Sequence, residues 1–547
     1  MIFEPVSRVP LPTSDIISYI FSNPSYDHDE PIYIDANDTT RSISYNQART
    51  IIRKLIAGLR AWGVQKGDCV AIHSFNDIYY CMLVLAIVGA GGIFTGTNPA
   101  YTSMELAHHL KASQTKFVIS ETEILSPVQA AMKELCISES NLRVFNIQGQ
   151  IVPDGLKSWQ ELLVANEADW VRFNDLKICE DTPAARLFSS GTTGLPKATT
   201  ITHRNFIAQH ELVFEFYKRP YQLRRLVSLP MFHAAAAPST HFSPLKAGHI
   251  TYLMRRFDLL VFLSNVEKFQ ITDLLVVPSM VVAIVMNPQA HFRPYLKSIR
   301  MAMVGAAPLS KELQGKLHAM LAEDATCTQV WGMTETCCVA TMFPYYEQDD
   351  TGSVGRLLPN IEIKLLDDEG NNVSAYGVRG ELCVRAPTVT PGYFNNPGAN
   401  AESFDNEGWF HTGDIAYCDE DSRKWYIVDR KKELIKVRGF QVAPPELEGV
   451  LLTHPLIVDV AVIGLRGVLP DSELPRAYVV RRPGVGDGLT EEEVKAYLGG
   501  RLAKYKALTG GVKFVSAIPK NASGKILKKV LRDEAQKEIE AGFKPKL

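Results

Sequence analysis

Ser189-Ser190-Gly191-Thr192-Thr193-Gly194-Leu195-Pro196-Lys197 gathers hydroxyls, two glycines and a lysine into one short segment directly after the apolar run 184–188. Glycines allow backbone N–H groups to turn toward an anion with no Cβ in the way, and the hydroxyls and ammonium add donors and charge. The segment reads as a loop built to hold phosphate at the end of a buried strand. It is not a Walker A loop, because its glycines are three apart and Lys197 is followed by Ala198 rather than Ser or Thr.

Further motifs follow in order: Pro230-Met231-Phe232-His233, Gly305-Ala306-Ala307-Pro308, Trp331-Gly332-Met333-Thr334-Glu335, Trp409 to Asp414, Asp429-Arg430-Lys431-Lys432-Glu433 and Gly524-Lys525. In this order and spacing the chain resembles the adenylate-forming (AMP-binding) superfamily over about residues 44–529, and the segment 436–448 looks most like its branch of coumarate-CoA ligases and luciferases. The resemblance implies a large N-terminal α/β domain of several subdomains, residues 1–429, and a small mobile α+β lid, residues 430–547, joined by a hinge at Lys432.

Composition agrees with a globular enzyme. With 46% apolar and 22% charged residues, a 547-residue chain can bury more than one core. A net charge of −2 argues against nucleic acid as a partner, and the longest apolar stretches, near 81–95 and 273–286, are too short or too interrupted to span a membrane. Nine cysteines without repeated metal-ligand spacing read as reduced thiols of an intracellular protein, and no signal peptide is evident.

Helical and strand signals alternate. Ala48, Ile51, Ile52, Leu55, Ile56, Leu59 and Trp62 recur at helical spacing, with Ser44 as cap and Gly63 as stop. Strands are expected at 69–73, 116–120, 186–188 and 300–304, giving an α/β layered fold with ligands at strand ends. Beyond 429, strands are expected at 459–465 and 476–482, then a helix from the capping box Thr490 to Glu493.

The chemistry implied by the resemblance is activation of a carboxylic acid. A carboxylate is a poor electrophile, and ATP activates it through an acyl-adenylate before a thiol attacks. The loop Ser189, Ser190, Gly191, Thr192, Thr193, Gly194 and Lys197 would hold the β- and γ-phosphates. Gly305, Ala306, Ala307, Gly332 and Met333 would shape the nucleotide site. Trp331 would stack on adenine, with a core tryptophan as the rival reading. Asp414 would accept the ribose hydroxyls, with Arg430 as its companion or else in a plain ion pair. Thr334 and Glu335 would meet the α-phosphate and Mg²⁺. Lys525 would bridge carboxylate and phosphate unless it belongs to a basic tail, and His233 would face the carboxylate unless it is a core histidine. For the thiol step, Lys436, Gly439 and Gln441 would meet coenzyme A after the lid turns.

The acid pocket is assigned to His233, Ala235, Ser239, Val330 and Cys338. Ala234 to Ala237 widens it relative to plant coumarate ligases, and Val330, where most relatives have glycine, narrows it. No Asp or Glu lies between His233 and Ser239, so an α-amino acid substrate is disfavoured. The expectation is an ATP-, Mg²⁺- and CoA-dependent ligase of an aromatic or medium-chain carboxylic acid. Two alternatives share these motifs: a free-standing enzyme loading carrier-protein pantetheine, and a luciferase-like oxygenase. The C-terminal Pro545-Lys546-Leu547 is a variant of the Ser-Lys-Leu address, so a peroxisomal import receptor is an expected partner, with the cytoplasm as the alternative location.

Overall fold

The computed structural model describes residues 1–547 except 23, 148, 164–165, 190–195, 438–439, 470–471, 485–487, 522–523 and 543–547. Its first sheet has six strands in the order Leu142–Val144, Thr115–Ser120, Cys69–His73, Ile93–Thr97, Pro183–Ser189 and Lys197–Thr202. All neighbours are parallel except the last pair, an antiparallel hairpin in which Ser189 pairs with Lys197. The segment expected to hold phosphate therefore starts and ends on paired strands, at Ser189 and Lys197, and its residues 190–195 lie outside the described residues.

Helices cover both faces of this sheet, which is why its central strands are buried along their whole length. Val70 and Ile72 pack into one core with the helices Tyr45–Trp62 and Ile78–Gly89. Ala71, pointing the other way, joins a core with Ser103–Ala112 and Leu125–Glu134. The first of these helices begins and ends where the sequence places it: Ser44 and Gln47 form a reciprocal capping box, and Gly63 adopts a left-handed φ of 104°.

The second sheet has seven strands in the order Thr326–Gln329, Met301–Val304, Asp273–Val276, Arg224–Val227, Ile250–Leu253, Pro31–Asp35 and Ser42–Ser44. Again only the last pair is antiparallel. Three segments follow the carboxyl ends of its strands and come together: 277, 305–306 and 330. Parallel sheets bind ligands at this end.

A short antiparallel sheet (Trp331–Met333, Cys338–Met342, Arg356–Leu357) and a four-stranded antiparallel sheet (Glu362–Leu366, Gly380–Arg385, Phe410–Cys418, Trp425–Arg430) come next. After a turn at 431–433 the terminal α+β unit begins. Its strand Ser472–Arg481 pairs antiparallel with Ile457–Leu469 and parallel with Val512–Phe514. Helices Pro444–Leu452 and Glu491–Gly499 cover one face and Lys528–Glu540 the other. Thr490 caps its helix in the expected box with Glu493.

Candidate active site

A cavity of about 380 Å³ opens at the carboxyl ends of the second sheet and is shared by distant parts of the chain. Ser189 and Lys197 enter from the base of the hairpin, Gly305 and Ala306 from the loop after Met301–Val304, and Thr334 and Glu335 from the turn after Trp331–Met333. Arg430 and Lys432 come from the chain leading into the terminal unit. Lys525 comes from that unit itself.

Glu335 is 4% exposed, on a single 3₁₀ turn over Thr334–Thr336. Thr336 fastens the turn: its hydroxyl accepts from the Met333 N–H at 3.0 Å and lies 3.1 Å from the carbonyls of Met333 and Cys338. The chain folds back so tightly that a Cβ on Gly332 would lie 1.6 Å from the Cys338 carbonyl oxygen, so this position admits only glycine. Tyr393 donates its hydroxyl to Glu335 at 2.8 Å, and Lys197 sits 4.8 Å from the centre of the same ring. One aromatic side chain thereby orients the buried carboxylate and supports the loop lysine.

Arg430 and Asp414 are cross-strand partners, with guanidinium Nε 3.4 Å from carboxylate Oδ1. Burial alone would lower the pKa of Arg430, and the charges of Asp414, Glu433 and Glu335 more than reverse this. Arg430 stays cationic beside Lys525. For Lys525, burial and then the Arg430 charge outweigh the nearby carboxylates and bring the ammonium down to about 8. Its loop seats closely: Gly524 has φ 79°, and a Cβ there would fall 2.4 Å from Ser279 Oγ. Lys525 is thus part of the cavity and not of a solvated tail.

The indole of Trp331 takes the core position. It is 7% exposed, packs with Met303, Val339 and Ala340, and donates Nε1–H to Asp414 Oδ2 at 2.8 Å. Val330 and Gly332 form the cavity wall on either side of it. The ring is tethered to Asp414, and Trp331 itself is not among the residues that line the cavity.

On the apolar side the cavity is walled by Leu229, Ala234, Ala235, Leu275, Val330 and Cys338. His233 faces it with Nδ1 accepting from the Ala235 N–H at 3.1 Å. Burial, with the Lys525 charge, lowers its pKa to about 4, so the ring is neutral and carries its proton on Nε2. Cys337 and Cys338 both hold positive φ, 54° and 104°, and the Cys338 thiol lies 3.6 Å from the Ala235 carbonyl. Ser239 lines a neighbouring small cavity rather than this one.

Some expected residues lie apart. Lys436 is exposed on the strand Ile435–Val437 and does not line the cavity, nor does Ala307. Gly439 lies outside the described residues, and Gln441 is described only as backbone of Phe440–Val442. Tyr393 went unread in the sequence. Its Pro391-Gly392-Tyr393 context carries a turn signal but no chemical one.

Residues 22–394 match the family profile described as AMP-binding enzyme, and residues 446–525 that of the AMP-binding enzyme C-terminal domain. The chain belongs to the AMP-binding enzyme family. It is 51% identical to a phenylacetyl-CoA ligase, epaB, of Aspergillus niger over 98% of this chain and all of that protein. It is 52% identical to an acyl-CoA ligase, azaF, of the same species over 97% of this chain and all of that one. Among solved structures, ATP-bound MatB from Rhodopseudomonas palustris superposes with a TM-score of 0.82 at 26% identity, covering 95% of this chain and 98% of that one.

Proposed function

We propose that this AMP-binding enzyme joins an aromatic or medium-chain carboxylic acid to coenzyme A in two steps, through an acyl-adenylate. The observation that carries this reading is the convergence of Lys197, Glu335, Arg430 and Lys525 on one side of a cavity whose other side is apolar. In the first step a carboxylate oxygen attacks the α-phosphorus of ATP and the bond to pyrophosphate breaks. Two anions must meet there, and Lys525, with Arg430 behind it, lowers their repulsion in a site with little water. Lys197 at the hairpin base, with the hydroxyls and N–H groups of its loop, takes the β- and γ-phosphates. The neutral His233 offers its Nε2 proton toward the acid end. In the second step the CoA sulfur attacks the acyl carbonyl and AMP leaves. Lys436, Gly439 and Gln441 serve this step after the terminal unit turns at Lys432, dividing the chain into working parts 1–429 and 430–547.

Glu335 suits Mg²⁺, because a buried carboxylate at the cavity offers the hard oxygen ligand that this cation takes. When bound, the ion supplies charge neutralisation to the phosphates. The similarity to a phenylacetyl-CoA ligase and the uncharged pocket wall support an aryl acid. The terminal Pro545-Lys546-Leu547 supports peroxisomal import.

The test is a screen of aryl and alkyl acids for pyrophosphate release, repeated with CoA and with a carrier protein as acceptor. Acid-dependent pyrophosphate and a CoA thioester are expected. Thioester on the carrier alone, or no acid-dependent pyrophosphate with a folded protein, would overturn the reading. A fluorescent fusion with the native C-terminus tests location: diffuse signal in a cell with peroxisomes removes the import proposal.

A further inference from the structure

The second sheet contains an anomaly that adenylate chemistry does not use. Strand Arg224–Val227 lies in the middle of seven strands, where residues covered on both faces are apolar, yet Arg225 is 7% exposed there. Its Cα partner on the neighbouring strand is Asp273, 2% exposed, but the ion pair of Asp273 is with Arg219, at 3.5 Å. Two buried guanidinium groups share one carboxylate. Among the described residues Arg225 makes one hydrogen bond, from Nη1 to the Ser239 carbonyl at 3.2 Å, and it lies 4.6 Å from the centre of the Phe214 ring. A guanidinium has five N–H donors, and leaving them unmet in an apolar interior is costly.

The Arg225 side chain borders a space. Arg225, Ser239, Ala236 and Asp273 line a cavity of about 20 Å³, enough for one water-sized group. Leu229 and Leu275 line both this cavity and the main one. Along Asp273–Val276, Asp273 and Leu275 point to the same face two residues apart, about 6.6 Å. Arg225 therefore lies one row of side chains beneath the apolar floor of the acid pocket. Ser239 and Ala236 border it from a π-helical turn, Pro238–Phe242, and the residues just before it, which follow His233. Local widening of this kind recurs at functional sites. Burial brings the Arg225 pKa down to about 10 despite Asp273, which still leaves a cation at neutral pH.

We propose that Arg225 is a specificity-determining residue at the far end of the acid pocket, where it receives an acceptor oxygen carried by the substrate at the end remote from its reacting carboxyl. The inference rests on the acid-ligase reading above and narrows it: the acid passes Leu275 and ends in an oxygen, such as a hydroxyl, a ketone or a second carboxylate, and not in a methyl group.

The experiment uses the full chain with CoA and acids of increasing length, each paired as oxygen-tipped and methyl-tipped forms, and reads kcat/KM for AMP release. At the length that reaches Arg225 the wild type should favour the oxygen-tipped acid by about tenfold or more, since a site built to bond an oxygen rejects the analogue lacking it. Arg225→Met, which leaves Arg219 and Asp273 as a one-to-one pair, should reverse that ratio while the shortest acids keep theirs. A merely structural arginine would change all acids together. An unchanged ratio at every length, or a wild type that prefers methyl tips throughout, overturns the proposal. If Arg225→Met does not fold, Ser239→Leu fills the same cavity and must abolish the oxygen preference, and failure to do so has the same force. Absence of CoA-dependent turnover with every acid would instead remove the ligase reading itself.

Discussion

The two regions assigned to the two half-reactions are in different states of assembly. Around the adenylate site, Glu335 is held by Tyr393 and Arg430 by Asp414, and Gly524 beside Lys525 approaches Ser279 closely, so its charged groups stand at one cavity. Among the described residues the thiol side shows no comparable arrangement: Lys436 is exposed on the strand Ile435–Val437 and does not line that cavity. One small unit carries both Lys525 and Lys436, and in this pose Lys525 lines the cavity while Lys436 does not. If Lys436 enters only after the unit turns, as proposed above, the pose that completes one site dismantles the other.

Removing Lys525 should break the comparison most deeply. Lys525→Ala should slow adenylate formation by ~3–4 kcal/mol or more, the usual worth of a preorganised charge in a dry site, while pre-made acyl-adenylate and CoA still give thioester. The same lysine sets a pH limb. Its free-enzyme pKa is lowered to about 8, so the ammonium is lost as pH rises through 8, and kcat/KM for adenylation should fall about tenfold per unit above that. The residual activity of the alanine variant should lack this limb. Loss of both half-reactions in a folded Lys525→Ala protein would show that the two poses do not divide the labour.

Lys436→Ala is the mirror experiment, with a smaller effect expected for a lysine on an exposed strand position. Thioester formation from pre-made adenylate should weaken by ~1.5–3 kcal/mol, as for a charged hydrogen bond, with first-turnover pyrophosphate release unchanged. Equal damage to both steps would place Lys436 in the adenylating pose as well.

A third substitution separates pocket shape from pose. Val330 lines the apolar wall, so Val330→Gly should raise activity toward bulkier acids relative to small ones by ~1–3 kcal/mol in the adenylation step alone. A flat acid profile would remove Val330 from the wall that meets the substrate.

What the sequence made legible follows the range of the interactions involved. Ser44, Gly63 and Thr490 are readable because caps are decided by residues three or four positions away. Lys197, Glu335 and Lys525 are readable because their side chains carry the chemistry and stand in recognisable company. The bond from the Trp331 N–H to Asp414, 83 residues on, has no local signal in the sequence. Tyr393 and Arg225 were passed over for the same reason. Their meaning lies in Glu335, Lys197, Asp273 and Ser239, all placed by the tertiary fold.

The smallest predicted effect concerns what holds the adenylating pose together. Lys528, on the last helix, reaches Glu448 at 3.0 Å and Glu433, the last residue of the turn at 431–433, at 3.9 Å. Asp429 sits beside them, 4% exposed, with one carboxylate oxygen bonded to the Arg430 N–H and the other unpartnered. Burial, which the Lys528 charge only partly offsets, raises its pKa from 3.8 to about 7. Because the folded value lies above the unfolded one, the protonated form favours folding. That contribution is complete below about 3.8 and is lost as pH rises through 7. Asp429→Asn removes the titration and one of three carboxylates around a single lysine, so its stability relative to wild type should climb across this window and then level off. Melting temperatures of both proteins from pH 4.5 to 8.5 check this. A constant difference would mean that Asp429 is ionised throughout, neutralised by Lys528 as part of the contact that fixes the pose. In that event the same substitution should loosen the terminal unit, and it should speed the thiol step at the expense of the adenylating one.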